Sequence, residues 1–130
     1  MIKAILFDFD GVLTTLFSGS YATALYISEK LGLNVDEVFN KRKLYIEDVN
    51  SGKLDGKDVL RKVLSEFGAT LNEDMLHEAY LSTPLDDKMF AYARELKKEY
   101  MVGILTDDDA ERFDMLAAKY NLKEEFACYY

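Results

Sequence analysis

Two short apolar segments constrain the fold of this 130-residue chain more than any other feature. Residues 2–7 read IKAILF and residues 100–105 read YMVGIL, and each segment is followed at once by polar or acidic residues. Continuous apolar runs of this length are typical of strands that are buried on both faces of a parallel sheet. We therefore predict two parallel strands whose carboxyl ends bring polar groups to the same edge of one sheet.

The chain around those two segments has helical spacing of its apolar residues. We predict four helices before Pro84, a fifth between Pro84 and the second strand, and a sixth after that strand. Their apolar positions lie within residues 21–31, 36–39, 59–67, 72–80, 89–96 and 113–120. This order of elements predicts an α/β fold, with a parallel sheet core and a helical insert at roughly 17–85.

Two aspartates follow the first strand in the stretch FDFDGVLTT, residues 7–15. Residues two apart in an extended segment point the same way, so Asp8 and Asp10 can face one ligand atom. Paired carboxylates need a cation or a shared proton, and hard oxygen ligands suit Mg²⁺. The pair predicts a division of labour in which one carboxylate is nucleophile and metal ligand, and its neighbour is the general acid and base.

Two further residues are predicted to contact a phosphoryl group at the same place. Gly11 permits a tight turn whose backbone amides can point at such a group. Thr106 ends the second strand just before a predicted helix, so its hydroxyl can donate a hydrogen bond to the same oxygens.

The stretch DFDGVLT resembles motif I of the haloacid dehalogenase superfamily of hydrolases, and GILTD, residues 103–107, resembles its motif II. The resemblance implies that Asp8 is an aspartyl nucleophile that becomes transiently phosphorylated. It implies that Asp10 is the acid and base, with its backbone carbonyl reaching Mg²⁺, and that Thr106 orients the phosphoryl group. It also implies a Rossmann-like parallel sheet core at 1–16 and 86–130. The helical insert at 17–85 resembles the small helical cap of that family.

Some features of the family are missing or altered in this chain. Family members carry a motif III lysine and a motif IV acidic pair, which would lie beyond residue 130. The end, EEFACYY, is typical of the lead into a further strand, because Phe126, Tyr129 and Tyr130 make a poor solvated terminus. We therefore expect a fragment or an interrupted gene product, with weak or no turnover unless another chain supplies the missing groups. Asp107, assigned to the phosphate site by its place in motif II, stands where many relatives have asparagine.

Asp107, Asp108 and Asp109 together place negative charge beside a predicted anion site. One interpretation is that these acids replace the missing metal ligands. We favour the alternative that they cap the following helix and complement its dipole.

The resemblance favours a Mg²⁺-dependent phosphatase of small phosphorylated metabolites. A sugar phosphate is the first choice, because the segment from GILTDDDAERF onward resembles the sugar-phosphate phosphatase branch. The dehalogenases usually lack a second aspartate in motif I, so Asp10 favours phosphoryl transfer over carbon–halogen cleavage. The alternatives are a phosphosugar mutase, a non-catalytic module completed by another chain and, last, a two-component receiver domain.

The charge of the chain limits its partners. With 24 acidic and 16 basic residues the formal net charge is −8, and no basic stripe offers a surface for nucleic acid. No apolar run has the length of a membrane span, and a single cysteine favours a reducing cytoplasm. The expected partners are a small phosphorylated substrate and, through self-association or a second chain, a polypeptide that completes the core.

Overall fold

The structure is a computed structural model, and it describes residues 1–129 apart from the side chains of Cys128 and Tyr129. A turn at Phe9–Leu13 follows the first strand. The strands and helices are, in chain order, β1 (Ala4–Phe7), α1 (Gly19–Leu31), α2 (Val35–Lys43), α3 (Ile46–Asn50), α4 (Gly56–Glu66), α5 (Glu73–Leu81), α6 (Asp87–Leu96), β2 (Met101–Leu105), α7 (Ala110–Tyr120), α8 (Leu122–Glu125) and β3 (Ala127–Tyr129).

The three strands form one parallel sheet in the order β1-β2-β3, which confirms the predicted α/β fold class with its parallel sheet. Ile5 lies beside Val102 and Phe7 beside Ile104, so these four side chains share one face of the sheet. The third strand begins at Ala127, where the sequence predicted the lead into a strand, and Phe126 just before it is buried. Tyr130 lies outside the described residues.

Among residues 1–127, whose side chains the structure describes, the hydrophobic core covers one face of the sheet, which corrects the prediction of strands buried on both faces. Side chains of β1, β2, α6 and α7 meet in one cluster that includes Phe7, Ile104, Phe90 and Phe113. Leu6, Met101 and Leu105 point to the other face and are 52%, 67% and 52% exposed. The reason is topological, because right-handed crossovers that step in the same direction place both connecting helices on the same face.

All six predicted helices are present, as α1, α2, α4, α5, α6 and α7. Side-chain caps define several starts: Asn72 Oδ1 accepts a hydrogen bond from the Met75 amide at 2.7 Å, and Asp109 Oδ1 accepts one from the Arg112 amide at 3.1 Å. We did not predict α3 and α8, because five and four residues are too few to show a helical period.

The chain divides into two compact units. One contains Met1–Gly19 and the segment from Tyr80 onward, and the other is the helical segment Ser20–Ala79. Residues 17–19 and 80–85, which we placed in the insert, therefore group with the sheet. In the helical unit, α4 buries Val59, Leu60, Val63 and Leu64 on one side.

None of the helices within residues 1–129 combines the length and the apolar character that a membrane crossing requires.

Candidate active site

A cleft of about 390 Å³ opens at the carboxyl ends of β1 and β2. Its lining consists of two triplets, one from the end of each strand: Leu6, Phe7 and Asp8, and Leu105, Thr106 and Asp107. Parallel strands end at the same edge of a sheet, which is where ligands bind in open α/β folds. The structure thus brings together three of the five predicted site residues in one cleft.

Asp8 is the acidic residue that follows β1 directly. It has extended backbone angles and caps the following turn, since its Oδ1 accepts a hydrogen bond from the Phe9 amide at 2.7 Å. The residue is exposed, and no displacement of other side chains is needed for a ligand to reach it. This bond fixes one carboxylate oxygen and orients the other.

Thr106 and Asp107 occupy the matching position after β2. Thr106 is buried, and its Oγ1 accepts a hydrogen bond from the Asp108 amide at 3.2 Å. Because Oγ1 is the acceptor in that bond, the hydroxyl hydrogen can be donated to a ligand. Asp107 is exposed at the rim of the cleft, where it adds a negative charge. The capping role that we predicted for the three acids belongs to Asp109.

Gly11 forms the tight turn that the sequence predicted, with a φ of 77°. Its amide donates a hydrogen bond to Thr14 Oγ1 at 3.0 Å, inside the turn. Gly11 does not line the cleft described above, so its contact with a phosphoryl group stays a prediction.

Asp10 does not line that cleft either, because its carboxylate binds a buried arginine. Arg112 Nη1 donates to Asp10 Oδ2 at 2.8 Å, and Arg112 Nη2 donates to Asp10 Oδ1 at 2.9 Å. This is the two-point pairing that the planar guanidinium makes with a carboxylate. The side chain of Asp10 is 15% exposed and that of Arg112 only 2%.

Two more acceptors complete the surroundings of Arg112. Its Nη1 also donates to Asp108 Oδ2, and its Nη2 donates to Thr83 Oγ1 at 3.0 Å. All four N–H bonds of the two Nη nitrogens are therefore used, while the buried Nε has no partner among the described residues. We call Arg112, Asp10, Asp108 and Thr83 the arginine cluster.

Burial and charge act in opposite directions within the arginine cluster. The pKa of Asp108 is raised from its ordinary 3.8 to about 6. Burial is the largest cause of the rise, Arg112 acts to lower the pKa, and the nearby Asp10 adds to the rise. Burial alone would lower the pKa of Arg112, but Asp10 and Asp108 outweigh that effect and hold it above its ordinary value. The guanidinium stays charged and is shared by two carboxylates.

We did not predict from the sequence that Arg112 belongs to the site or that Asp108 is interior. A signal was present, because Arg112 lies four residues before Leu116, on the helical face that includes Phe113, Leu116 and Ala117, all of them buried. A charged residue on such a face needs a buried partner. The spacing of Asp108 and Arg112, four residues apart, would have named one partner.

The arginine cluster predicts an unusual cost for a small substitution at Gly19, the first residue of α1. A Cβ atom at Gly19 would lie 2.3 Å from Arg112 Nη1 and 2.8 Å from Asp10 Oδ2. We expect Gly19→Ala to lower the free energy of unfolding by about 1–3 kcal/mol, because the ion pair must shift. Gly56→Ala is the matched control, since Gly56 also begins a helix and its Cβ would meet nothing closer than 3.7 Å. Urea unfolding of both variants measures the difference, and equal effects would contradict the prediction.

The raised pKa of Asp108 predicts a pH dependence of stability. The folded state holds the Asp108 proton more tightly than the unfolded state, in which the ordinary pKa is 3.8. The free energy of unfolding should therefore fall as the pH rises from 3.8 to about 6. Since one pKa unit corresponds to about 1.4 kcal/mol, Asp108 should contribute a fall of about 3 kcal/mol.

Asp108→Asn is the variant that checks this pH dependence. We expect its unfolding free energy, measured in urea at about pH 4 and about pH 7, to fall less between the two conditions than that of the parent chain. Titrating groups that do not interact with Asp108 are common to both chains, so they cancel in the comparison. The same fall in both chains would show that Asp108 does not titrate in this range.

Comparison with known proteins gives matches among solved structures. No protein-family model and no curated protein matches the chain. The HAD-hydrolase YfnB from Bacillus subtilis, bound to magnesium, matches with a TM-score of 0.66 and 16% identity, over 98% of this chain and 64% of that protein. The L-2-haloacid dehalogenase from Xanthobacter autotrophicus matches with a TM-score of 0.65 and 19% identity, over 99% of this chain and 56% of that enzyme.

A third match is a phosphoserine phosphatase solved as an analogue of its phospho-aspartyl intermediate. The TM-score is 0.56 and the identity 22%, over 99% of this chain and 55% of the phosphatase. The chain thus spans between 55% and 64% of the length of these three proteins. Likeness at these identities establishes a shared fold.

Proposed function

We propose that this chain, which has the fold of the haloacid dehalogenase superfamily of hydrolases, carries the phosphoryl-transfer site of a Mg²⁺-dependent phosphatase of small phosphorylated metabolites. One observation carries the proposal: Asp8 lies in the same cleft as Thr106, at the carboxyl ends of two parallel strands, and Asp10 follows two residues later. An exposed carboxylate opposite a hydroxyl donor is the arrangement that attack on a phosphorus atom requires.

The proposed reaction has two steps. In the first, an Asp8 carboxylate oxygen forms a bond to phosphorus, the bond from phosphorus to the leaving oxygen breaks, and Asp10 supplies a proton to that oxygen. In the second, Asp10 takes a proton from water, the water oxygen attacks phosphorus, and inorganic phosphate leaves Asp8 as a carboxylate. Thr106 donates a hydrogen bond to the phosphoryl oxygens in both steps.

Phosphoryl transfer is favoured over carbon–halogen cleavage by Asp10. Structural neighbours include haloacid dehalogenases as well as a phosphoserine phosphatase, so the fold does not distinguish the two reactions. The leaving group of phosphate ester cleavage takes up a proton, whereas a halide does not. A second carboxylate next to the nucleophile therefore supports the phosphatase.

We propose a sugar phosphate as the substrate, because the segment from residue 103 onward resembles the sugar-phosphate phosphatase branch. We propose a reducing cytoplasm as the compartment, because the chain has a single cysteine.

The donor atoms around Asp8 fit a Mg²⁺ ion. The Asp8 carboxylate is an exposed hard oxygen donor, and Asp107 places a second carboxylate at the same cleft. The Asp10 carboxylate is paired with Arg112, so Asp10 would offer its backbone carbonyl. When bound, the ion would neutralise part of the negative charge of the phosphoryl group.

Removal of the metal tests the proposal directly. We expect release of para-nitrophenol from para-nitrophenyl phosphate, and of phosphate from sugar phosphates, to fall at least about a hundredfold when EDTA replaces Mg²⁺. Restoring excess Mg²⁺ should restore the rate. Turnover that is unaffected by EDTA would contradict the metal-dependent mechanism, and no turnover above a protein-free blank would contradict phosphatase activity of this chain.

A second candidate function is a module that is inactive until another polypeptide covers it. The observation in its favour is the apolar face of the sheet, where Leu6, Met101 and Leu105 are each at least half exposed. A second copy of the chain is the partner that a simple measurement can test. If this candidate is right, specific activity and molecular mass by light scattering should rise together with protein concentration. A monomer with concentration-independent specific activity would rule out a second copy.

A further inference from the structure

The Asp10 carboxylate, proposed as acid and base, is not among the groups that line the cleft, and it is paired with the buried Arg112. We propose that Arg112 is a positioning residue that holds Asp10 outside the cleft at rest, and that Asp108 keeps Arg112 paired when Asp10 leaves it. The inference rests on the proposed function, because it assigns what controls the acid and base of that reaction.

Asp10 is held in one position by Arg112 and Thr14. Both of its oxygens accept hydrogen bonds from Arg112, at 2.8 and 2.9 Å, and Thr14 Oγ1 lies 3.4 Å from Oδ1. An aspartate side chain has three staggered χ1 positions, and this pairing selects one of them. In that position Asp10 is not among the residues that line the cleft, whereas Asp8 is. Proton transfer to a group bound at Asp8 therefore requires Asp10 to leave Arg112.

Release of Asp10 would remove one counter-charge from Arg112. A buried guanidinium without a counter-charge is strongly unfavourable, and the side chain of Arg112 is only 2% exposed. Asp108 and Thr83 accept hydrogen bonds from Nη1 and Nη2 in addition to Asp10, so the guanidinium would keep two partners when Asp10 leaves. Asp108 is itself held in place, because its Oδ1 accepts the Asp109 amide at 2.9 Å. The second carboxylate thus lets Asp10 depart without leaving the arginine unpaired.

The lack of a side chain at Gly19 leaves room for the pair formed by Arg112 and Asp10. The guanidinium and the Asp10 carboxylate occupy the space that a Cβ at Gly19 would take. The pair is therefore packed against the backbone at the start of α1 rather than exposed to water.

Asp108→Asn tests the inference, because it removes the second counter-charge without touching Asp10. Arg112 should then hold Asp10 more tightly, and kcat/KM for an alkyl phosphate, whose leaving oxygen needs a proton, should fall about tenfold. For para-nitrophenyl phosphate, whose leaving group needs no proton, kcat/KM should change less than about twofold. Thr83→Val, of nearly equal shape, should act in the same direction with a fall of about threefold.

Two controls separate this role from a merely structural one. Asp114→Asn makes the same chemical change on the same helix, at a side chain that is 51% exposed and paired with Lys123, and should leave both substrates unaffected. In an Asp10→Asn background, Asp108→Asn should cause no further loss, because the two residues act in series through Arg112.

Three results would overturn the inference. They are an equal fall with both substrates, a loss from Asp108→Asn that persists in the Asp10→Asn background, and a rise in kcat/KM for the alkyl phosphate. A chain without Mg²⁺-dependent turnover would instead overturn the proposed function. The hold is then tested by a crystal structure of the parent chain: Asp10 paired with Arg112 supports it, and Asp10 turned into the cleft overturns it.

Discussion

Asp8→Asn is expected to abolish turnover, with a loss of at least about a thousandfold in kcat. The amide has nearly the shape of the carboxylate, and its oxygen can still accept the hydrogen bond that the Phe9 amide donates to Asp8 Oδ1 at 2.7 Å in the parent chain. It is not a nucleophile, so the phosphorylated enzyme cannot form. The measurement is release of para-nitrophenol and inorganic phosphate per chain, with Mg²⁺ present, beside unfolding curves that show the variant is folded.

Asp114→Asn serves as the control for this prediction. It makes the same substitution at a half-exposed side chain on α7 and should keep the parent rate within about twofold. Residual activity of Asp8→Asn above a tenth of the parent rate would show that another group is the nucleophile. A complete loss in both variants would point to instability of the preparation rather than to chemistry.

Arg112→Met is expected to have the largest effect on stability, about 3–5 kcal/mol. Methionine fills part of the space but supplies no charge, so two carboxylates, Asp10 and Asp108, remain close together with no cation between them. Thr83 Oγ1 also loses a donor. Denaturation with urea, followed by circular dichroism at low temperature and about pH 7, gives the change in unfolding free energy.

Arg94→Met is the matched control for the buried arginine. Arg94 also pairs with a carboxylate, its Nε lying 2.5 Å from Glu125 Oε1, but its side chain is 53% exposed. Surface ion pairs contribute at most about 1 kcal/mol, so the control should change stability by no more than that. If Arg112→Met lowers the unfolding free energy no more than Arg94→Met does, the buried ion pair contributes little to stability. Adding Asp108→Asn to Arg112→Met should recover part of the loss, since it removes one of the two repelling charges.

The local pattern of the sequence was sufficient to predict most of the strands and helices of the fold. Apolar runs located β1 and β2, and helical spacing located six of the eight helices within residues 1–129, because each depends on side chains near one another in sequence. The meeting of Asp8 and Thr106 in one cleft also followed, since carboxyl ends of parallel strands share an edge.

The surroundings of Asp10 depended on contacts that no local pattern contains. Asp10 and Arg112 are 102 residues apart in sequence, and their pairing exists only because the ends of β1 and the start of α7 meet in space. From sequence alone Asp10 had the position of a ligand beside Asp8, whereas the structure pairs its carboxylate with a cation. The spacing within a motif predicts which side chains can point the same way. It does not predict which distant residue will bind one of those side chains.

The sequence by itself determined the parallel α/β architecture, the helical segment between its two strands and the position of the Asp8 nucleophile candidate, because these follow from period, length and strand direction. Only the tertiary structure decided which face of the sheet is covered, where the two units divide, and that Arg112 and Asp108 are interior. The physical reason is that burial of a charge depends on what several distant segments place around it, and the free energy of that burial is set by the whole set of partners.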